Sequence, residues 1–372
     1  MRFVLACIII LLSVTPVLAS DTENSSIPQI PLNPPLQKGE ISFPPLEKGG
    51  KGGFDRGFSD EGEERFLQNI RQLTFEGING EAYFSRDMEK IIFQSIRGEH
   101  PYYQIYTMDI DGSHQALISG DKGKTTCSYF RPDGKKIIYA STMHNPPLPP
   151  FDKGGKGGLE TAPPKEERKY QWDFDPDMEI YEADRDGSNL KRLTSSEGYD
   201  AEGVYSNDGK KIVFTSQRDG DLEIYVMNAD GTEQRRLTSS KGYDGGAFFS
   251  PDDKQIVFRA FRDLEKPRIA QVYIMDAEGK GERQITSNEA VNWAPYFHPS
   301  GEYIIFASNP ESPRNFDLYV IRPDGTGLKR ITHDEGFDGL PYFSPDGKKL
   351  LWTSSRGGGK SQIFISDWVY EE

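Results

Sequence analysis

The sequence predicts an all-β fold: a closed ring of six four-stranded sheets, a six-bladed β-propeller. Three observations predict it. One short phrase recurs six times, an aromatic pair or its equivalent, then a turn, then a lysine-flanked strand. Measured between the second aromatics Phe84, Phe130, Tyr205, Phe249, Phe297 and Phe343, the copies lie 46, 75, 44, 48 and 46 residues apart. The fourth-strand signal also appears once ahead of the first copy and not after the last. A period of about 40–50 residues rich in short strands marks a radial or stacked array.

At the N-terminus Arg2 is followed by an apolar run, Phe3 to Leu12, and by the small-residue pattern Val17-Leu18-Ala19. This reads as a signal peptide, residues 1–19, cleaved after Ala19. A membrane helix is the alternative, but the run is short and Ser13, Thr15 and Pro16 interrupt its continuation. Cys7 lies too early for a lipoprotein site. After cleavage Cys127 is the remaining cysteine, which excludes an internal disulfide and makes it a small core residue. No stable membrane span is expected in the mature chain.

Residues 20–66 read as a disordered Pro/Gly-rich linker. Its phrase Pro44-Pro45-Leu46-Glu47-Lys48-Gly49-Gly50 returns as Pro149-Pro150-Phe151-Asp152-Lys153-Gly154-Gly155. The second copy marks a low-complexity insert at about 145–168. Removing it brings the gap of 75 to about 51, close to the others. Insertions survive at exposed loop tips, so the segment after Met143 is expected to be one.

The propeller is expected over 67–372. In its fourth repeat strand A reads Gly246 to Phe249, strand B Gln255 to Arg259, strand C Gln271 to Met275 and strand D Arg283 to Thr286. The A–B connection is Pro-Asp-Gly in type, as in Ser344-Pro345-Asp346-Gly347. Pro presets φ, Asp bonds its own backbone and Gly accepts the left-handed position. Strand D follows strand C five times, and its sixth copy, Arg71-Gln72-Leu73-Thr74, precedes the first strand A. The simplest solution is circular: this N-terminal strand completes the last blade and removes the free edge.

The formal charge of −14 argues against a nucleic-acid or anionic-membrane partner. Five residues before each second aromatic stand Asn79, Thr125, Asp200, Asp244, Asn292 and Asp338. By pseudo-symmetry they form one polar ring, expected at the channel mouth. Read functionally, it is a site for a cation or a basic peptide group; read structurally, it is Asx capping repeated with its turn. Calcium prefers six to eight oxygens, and the ring could supply some of them; no other cofactor is expected. Glu81 and Glu202 before strand A, Trp293 beside Asn292, His298 in the place of the turn serine, and Arg259 and Arg262 near strand B break the repeat and could line a ligand face. Asp173, Asp175, Asp177 and Glu179 alternate without the glycine of a calcium loop. Gly-x-Ser-x-Gly and His-Glu-x-x-His motifs are absent, and Gly359-Lys360-Ser361 lacks the context of a phosphate loop.

Joined, the phrases YFSPDGKKLLWTS, EIYVMNADGTEQRRLT and GYDGGAFFSPDDKQIVFRA resemble the TolB-type propeller, the PD40 or WD40-like repeat family, over about 70–370. The resemblance implies a monomeric, non-enzymatic protein-binding scaffold in the periplasm or secreted, with an envelope protein such as a peptidoglycan-associated lipoprotein as partner. The α/β domain that precedes the propeller in that family is replaced here by the linker, which puts a Tol translocation role in question. A metal-dependent polysaccharide lyase, or another carbohydrate-active enzyme, on a similar propeller is the alternative; it needs converging histidine ligands and a general base.

Overall fold

The structure, a computed structural model, describes residues 62–120, 122–146, 175–263, 265–266, 268–313, 315–357 and 359–370. The expected signal segment, the linker up to residue 61 and nearly all of the insert lie outside them. Six four-stranded antiparallel sheets form the blades. Strand A is Ile78–Phe84, Thr125–Phe130, Asp200–Tyr205, Tyr243–Phe249, Asn292–Phe297 and Asp338–Phe343 in blades 1 to 6. Strand B is Lys90–Ile96, Lys136–Ser141, Lys211–Ser216, Gln255–Phe261, Ile304–Ser312 and Lys349–Ser354. Strand C is Gln104–Asp109, Glu179–Asp184, Glu223–Asn228, Gln271–Asp276, Asn315–Ile321 and Gln362–Trp368. Strand D is a two-residue pair in blades 1 to 5, for example Arg235–Arg236 and Arg283–Gln284. In blade 6 it is the longer N-terminal strand Leu67–Gln72, paired with Gln362–Trp368 as the circular solution requires.

The sequence places strand A of blade 4 at Gly246; the structure starts it at Tyr243. The difference has one cause in every blade. Strand A carries a bulge, with register shifts such as Gly80/Tyr83, Ala201/Val204 and Gly339/Tyr342. A bulge bends a strand and re-aims its side chains, so simple alternation fails across it.

Two faces follow from the antiparallel order. The D–A and B–C loops gather at the face where strands A and C start, and the A–B and C–D turns at the other. At the turn face a serine organises the A–B turn in four blades, with Arg131 and His298 in its place in blades 2 and 5: Ser206 Oγ donates to Asp208 Oδ1 at 2.7 Å and accepts the Lys211 N–H at 3.0 Å. Ser250 and Ser344 repeat the arrangement. The second aromatic of each phrase is buried between blades, from Phe343 at 0 % to Phe249 at 7 % exposed, among strand B aliphatics such as Ile137, Ile256 and Leu350. Among the described residues no helix is long and apolar enough to cross a membrane.

Candidate functional site

The ring of residues at the start of strand A does form, and it is built into the joints between blades. Asn79, Thr125, Asp200, Asp244, Asn292 and Asp338 are all fully buried. The backbone N–H groups of the first five reach the preceding blade, as in Asp244 N to Leu222 O at 2.9 Å. Where the ring residue is acidic, an arginine eighteen positions on takes the carboxylate. Arg218 Nη2 donates to Asp200 at 2.8 Å, Arg262 Nε and Nη2 to Asp244 at 2.8 and 2.6 Å, and Arg356 Nη2 to Asp338 at 2.7 Å. Trp352 Nε1 completes the Asp338 site at 3.0 Å.

A second acid stands beside each of these aspartates at the head of strand C of the preceding blade. Glu179 lies next to Asp200, Glu223 next to Asp244, and Asp317 next to Asp338. These acids have their own arginines on strand D: Arg192 to Glu179 at 2.5 Å, Arg236 to Glu223, and Arg330 to Asp317 at 2.8 Å. Three joints therefore hold two carboxylates and two guanidinium groups each. The other three hold Gln104 with Thr125, Gln271 with Asn292, and Gln362 with Asn79, joined by neutral hydrogen bonds of 3.4, 3.0 and 2.8 Å. Burial and the neighbouring aspartate push the Glu223 and Asp317 carboxyls up to about 7, against the pull of their arginines and of Thr238 at Glu223. Burial also raises Asp244, against Arg262.

Two residues further along each strand A lies a ring that the sequence reading did not recognise as one. Glu81, Cys127, Glu202, Gly246, Ala294 and Leu340 occupy equivalent bulge positions, and all have positive φ, from 49° to 60°. Five are not glycine, so the bulge has no residue signature. The available signal was variability at one offset of an otherwise regular repeat. These residues line the loop-face end of the central channel with Arg259 and Trp293. Arg259 Nη2 donates to Glu202 Oε1 at 2.8 Å with both side chains buried. Thr215 Oγ1 at 2.5 Å, the Gly246 N–H at 2.6 Å and Tyr243 Oη at 3.2 Å complete the Glu202 carboxylate. Gly246 is glycine for a steric reason: a Cβ there would fall 1.7 Å from Arg259 Nη1. Burial pushes the Cys127 thiol well up, and the Glu81 and Glu202 carboxylates add to it, which removes thiolate reactivity.

Below this ring the channel is plugged. The first aromatics of the repeated phrase, Tyr83, Tyr129, Phe248, Tyr296 and Tyr342, turn inward and pack on one another at 4.3–6.3 Å between ring centres. Tyr129 and Tyr342 share a hydroxyl–hydroxyl bond of 2.6 Å. On the turn side of the plug lies a cavity of about 180 Å³, lined by Arg86, Tyr129, Arg131, Tyr296, Tyr342 and a collar of prolines.

Trp293 is half-buried at the loop-face end, edge-on to Phe316 at 6.3 Å and against Phe337 at 6.2 Å. His298 lies at the opposite end of strand A, in the turn-serine position. Its ring stacks on Tyr303 at 4.4 Å, and Nδ1 pairs with Ser300 Oγ at 2.9 Å. The structure thus brings Glu202 and Trp293 to one channel end, sets the Asn and Asp residues into the blade joints, and separates His298 from both. Among the described residues no three His, Cys, Asp or Glu side chains are grouped to hold a metal ion. The ring acids face arginines, so this donor set does not fit a calcium site.

Comparison with known proteins agrees with this geometry. Residues 173–284 match the Tricorn protease N-terminal beta propeller domain, and residues 260–369 the TolB beta propeller domain. A TolB homolog of Chlorobium chlorochromatii is 27 % identical over 126 residues, 31 % of this chain and 29 % of that protein, so the match spans under a third of the relative. Among solved structures, a putative TolB from Agrobacterium tumefaciens superposes with TM-score 0.56 at 19 % identity, covering 78 % of this chain and 90 % of that one. An oligogalacturonate lyase in complex with manganese superposes with TM-score 0.50 at 17 % identity, covering 80 % and 93 %.

Proposed function

From a TolB-like six-bladed propeller with a plugged axis, we propose a non-enzymatic binding scaffold of the cell envelope that presents a rigid ring face to a protein partner. The observation that carries the reading is the interlocked loop face. Six acids at the blade joints and Glu202 at the bulge ring are each held by an arginine. That fixes the loops, and a preformed surface loses little entropy on binding. Half-buried Trp293, Phe316 and Phe337 give that face an aromatic anchor of the kind that dominates interfaces.

The partner class this supports is an envelope protein such as a peptidoglycan-associated lipoprotein, met in the periplasm or outside the cell by a monomeric chain exported through its 1–19 segment. The alternative, a metal-dependent polysaccharide lyase, needs a ligand cluster that the described residues do not assemble. The test is capture from envelope extract by the full chain, beside Trp293→Ala with its fold checked by thermal melting. Recovery of one envelope protein, reduced at least tenfold by the variant, is expected. A folded wild-type protein that captures nothing, or that turns over a polysaccharide, sinks the reading.

A further inference from the structure

The turn-face cavity is the roomier end of the channel, about 180 Å³ against about 40 Å³ at the loop face. Its rim is one pseudo-symmetric position. Four blades supply Pro132, Pro251, Pro299 and Pro345; blade 3 supplies Asn207 and blade 1 supplies Arg86. Asn207 is committed, its amide bonding Ser250 O at 3.0 Å and Asp253 Oδ1 at 2.9 Å. Arg131, also in the lining, is held by Glu182 and Asp133 at 3.5 Å and lies over the Tyr205 ring at 5.8 Å. Arg86 is exposed and has no ion pair among the described residues. Among the described residues no acid lines the cavity, in a chain whose formal charge is −14. A low-dielectric cleft carrying one sign of charge concentrates counter-ions of the other.

The floor offers donors. Tyr129, Tyr296 and Tyr342 bring their hydroxyls together under the rim. Burial raises all three above the ordinary phenol range, against the Arg86 charge at Tyr129 and Tyr296, and Arg86 lines the same cavity. The 2.6 Å bond between Tyr129 and Tyr342 uses one proton, and each hydroxyl has one to give. The Tyr296 hydroxyl bonds within the same cluster, to Tyr129 and Tyr342, so an entering acceptor draws its proton from a mutually bonded group of three hydroxyls.

We propose that Arg86 in the proline collar and the hydroxyls of Tyr129, Tyr296 and Tyr342 below it form a binding site for a carboxylate, and that its occupant is an acidic or C-terminal group of a peptide partner. The collar decides for a peptide over a uronate. Proline rings bring no N–H and pack against an aliphatic stem, whereas sugar hydroxyls would go unpaired there. A cavity of about 150 Å³ holds a benzene-sized group, so this one admits a single side chain or chain end. The peptide assignment rests on the scaffold reading; the carboxylate site does not.

Calorimetric titration of the full chain with N-acetyl-leucine, N-acetyl-leucinamide and galacturonate tests the site. The free acid should bind saturably with a Kd of roughly millimolar order, as expected for about a dozen heavy atoms. The amide and the Arg86→Gln variant should each bind at least about tenfold more weakly, the scale of a charge-assisted hydrogen bond. Equal binding of acid and amide, or no effect of Arg86→Gln, overturns the site. Preference for galacturonate overturns the peptide occupant. Capture from envelope extract separates the two claims. Loss of the captured protein in Arg86→Gln supports the occupant. Capture unaffected by the variant overturns the occupant and leaves the scaffold standing. Arg86-dependent acid binding with no captured protein upholds the site and counts against the scaffold.

Discussion

The two faces of the ring are held together by different chemistry. At the loop face the charges are buried: three joints each set an acid–arginine pair of one blade beside a pair of the next, and the Glu202–Arg259 pair crosses between blades at the channel. At the turn face the turns of blades 1, 3, 4 and 6 close on their own serine and aspartate, as at Ser206 and Ser344, and partly exposed contacts such as Asn207–Asp253 and Arg185–Asp87 join neighbouring blades. Because its charges are at least partly exposed, the turn face can carry an arginine such as Arg86 that has no ion pair among the described residues. The loop face has no such latitude, since removing one charge there strands another in a buried joint.

That contrast can be broken most severely at Arg259. Arg259→Met should destabilise the protein by about 3–5 kcal/mol, because the buried Glu202 carboxylate loses its counter-charge; urea unfolding measures it. Adding Glu202→Met should recover most of the loss, and a double variant as unstable as the single one would show that Gly246 and Tyr243, rather than charge, set the cost. Next comes the plug that keeps the two ends apart. Phe248→Ala should cost about 3 kcal/mol and join the cavities, seen as faster exchange of buried amides in strands A.

A smaller effect should separate the charged joints from the neutral ones. Glu223 is raised to about 7 in the folded chain, above its unfolded value. Its contribution to stability is therefore complete below about pH 4.5 and lost as pH rises through 7. Glu223→Gln copies the neutral joints at Gln104, Gln271 and Gln362. Measured against wild type, the variant should gain in melting temperature between pH 5 and pH 8; a difference that stays flat would place the proton elsewhere. The smallest effect is expected at the turn face, where Arg86→Gln should change stability by less than about 0.5 kcal/mol.

The ring count, the four strands per blade and the circular closure were legible because each is a repeated word, and repetition averages out local ambiguity. The acid–arginine joints were half legible. Asp200, Asp244 and Asp338 were visible as a ring, but their burial was not, because the partners Arg218, Arg262 and Arg356 lie eighteen residues on and across a strand. The bulge was illegible. Five of its six positive-φ positions are not glycine, so no residue type marks Glu81, Cys127 and Leu340 as bulge residues. Arg86 was in plain view as the residue that replaces proline in the first turn. Its meaning depends on five other blades arriving at the same rim.

The strand that closes the ring sets a timetable. Leu67–Gln72 pairs with Gln362–Trp368, and Phe66 packs against Trp368 and Tyr370 at 6.5 and 5.4 Å. During synthesis the first strand made waits for the last, exposed as an unpaired edge while the intervening blades fold. Joining ends almost 300 residues apart is slow, yet it is also the step that commits the molecule. Any protease or chaperone acting on the nascent chain finds its opening there, and a finished ring shuts it.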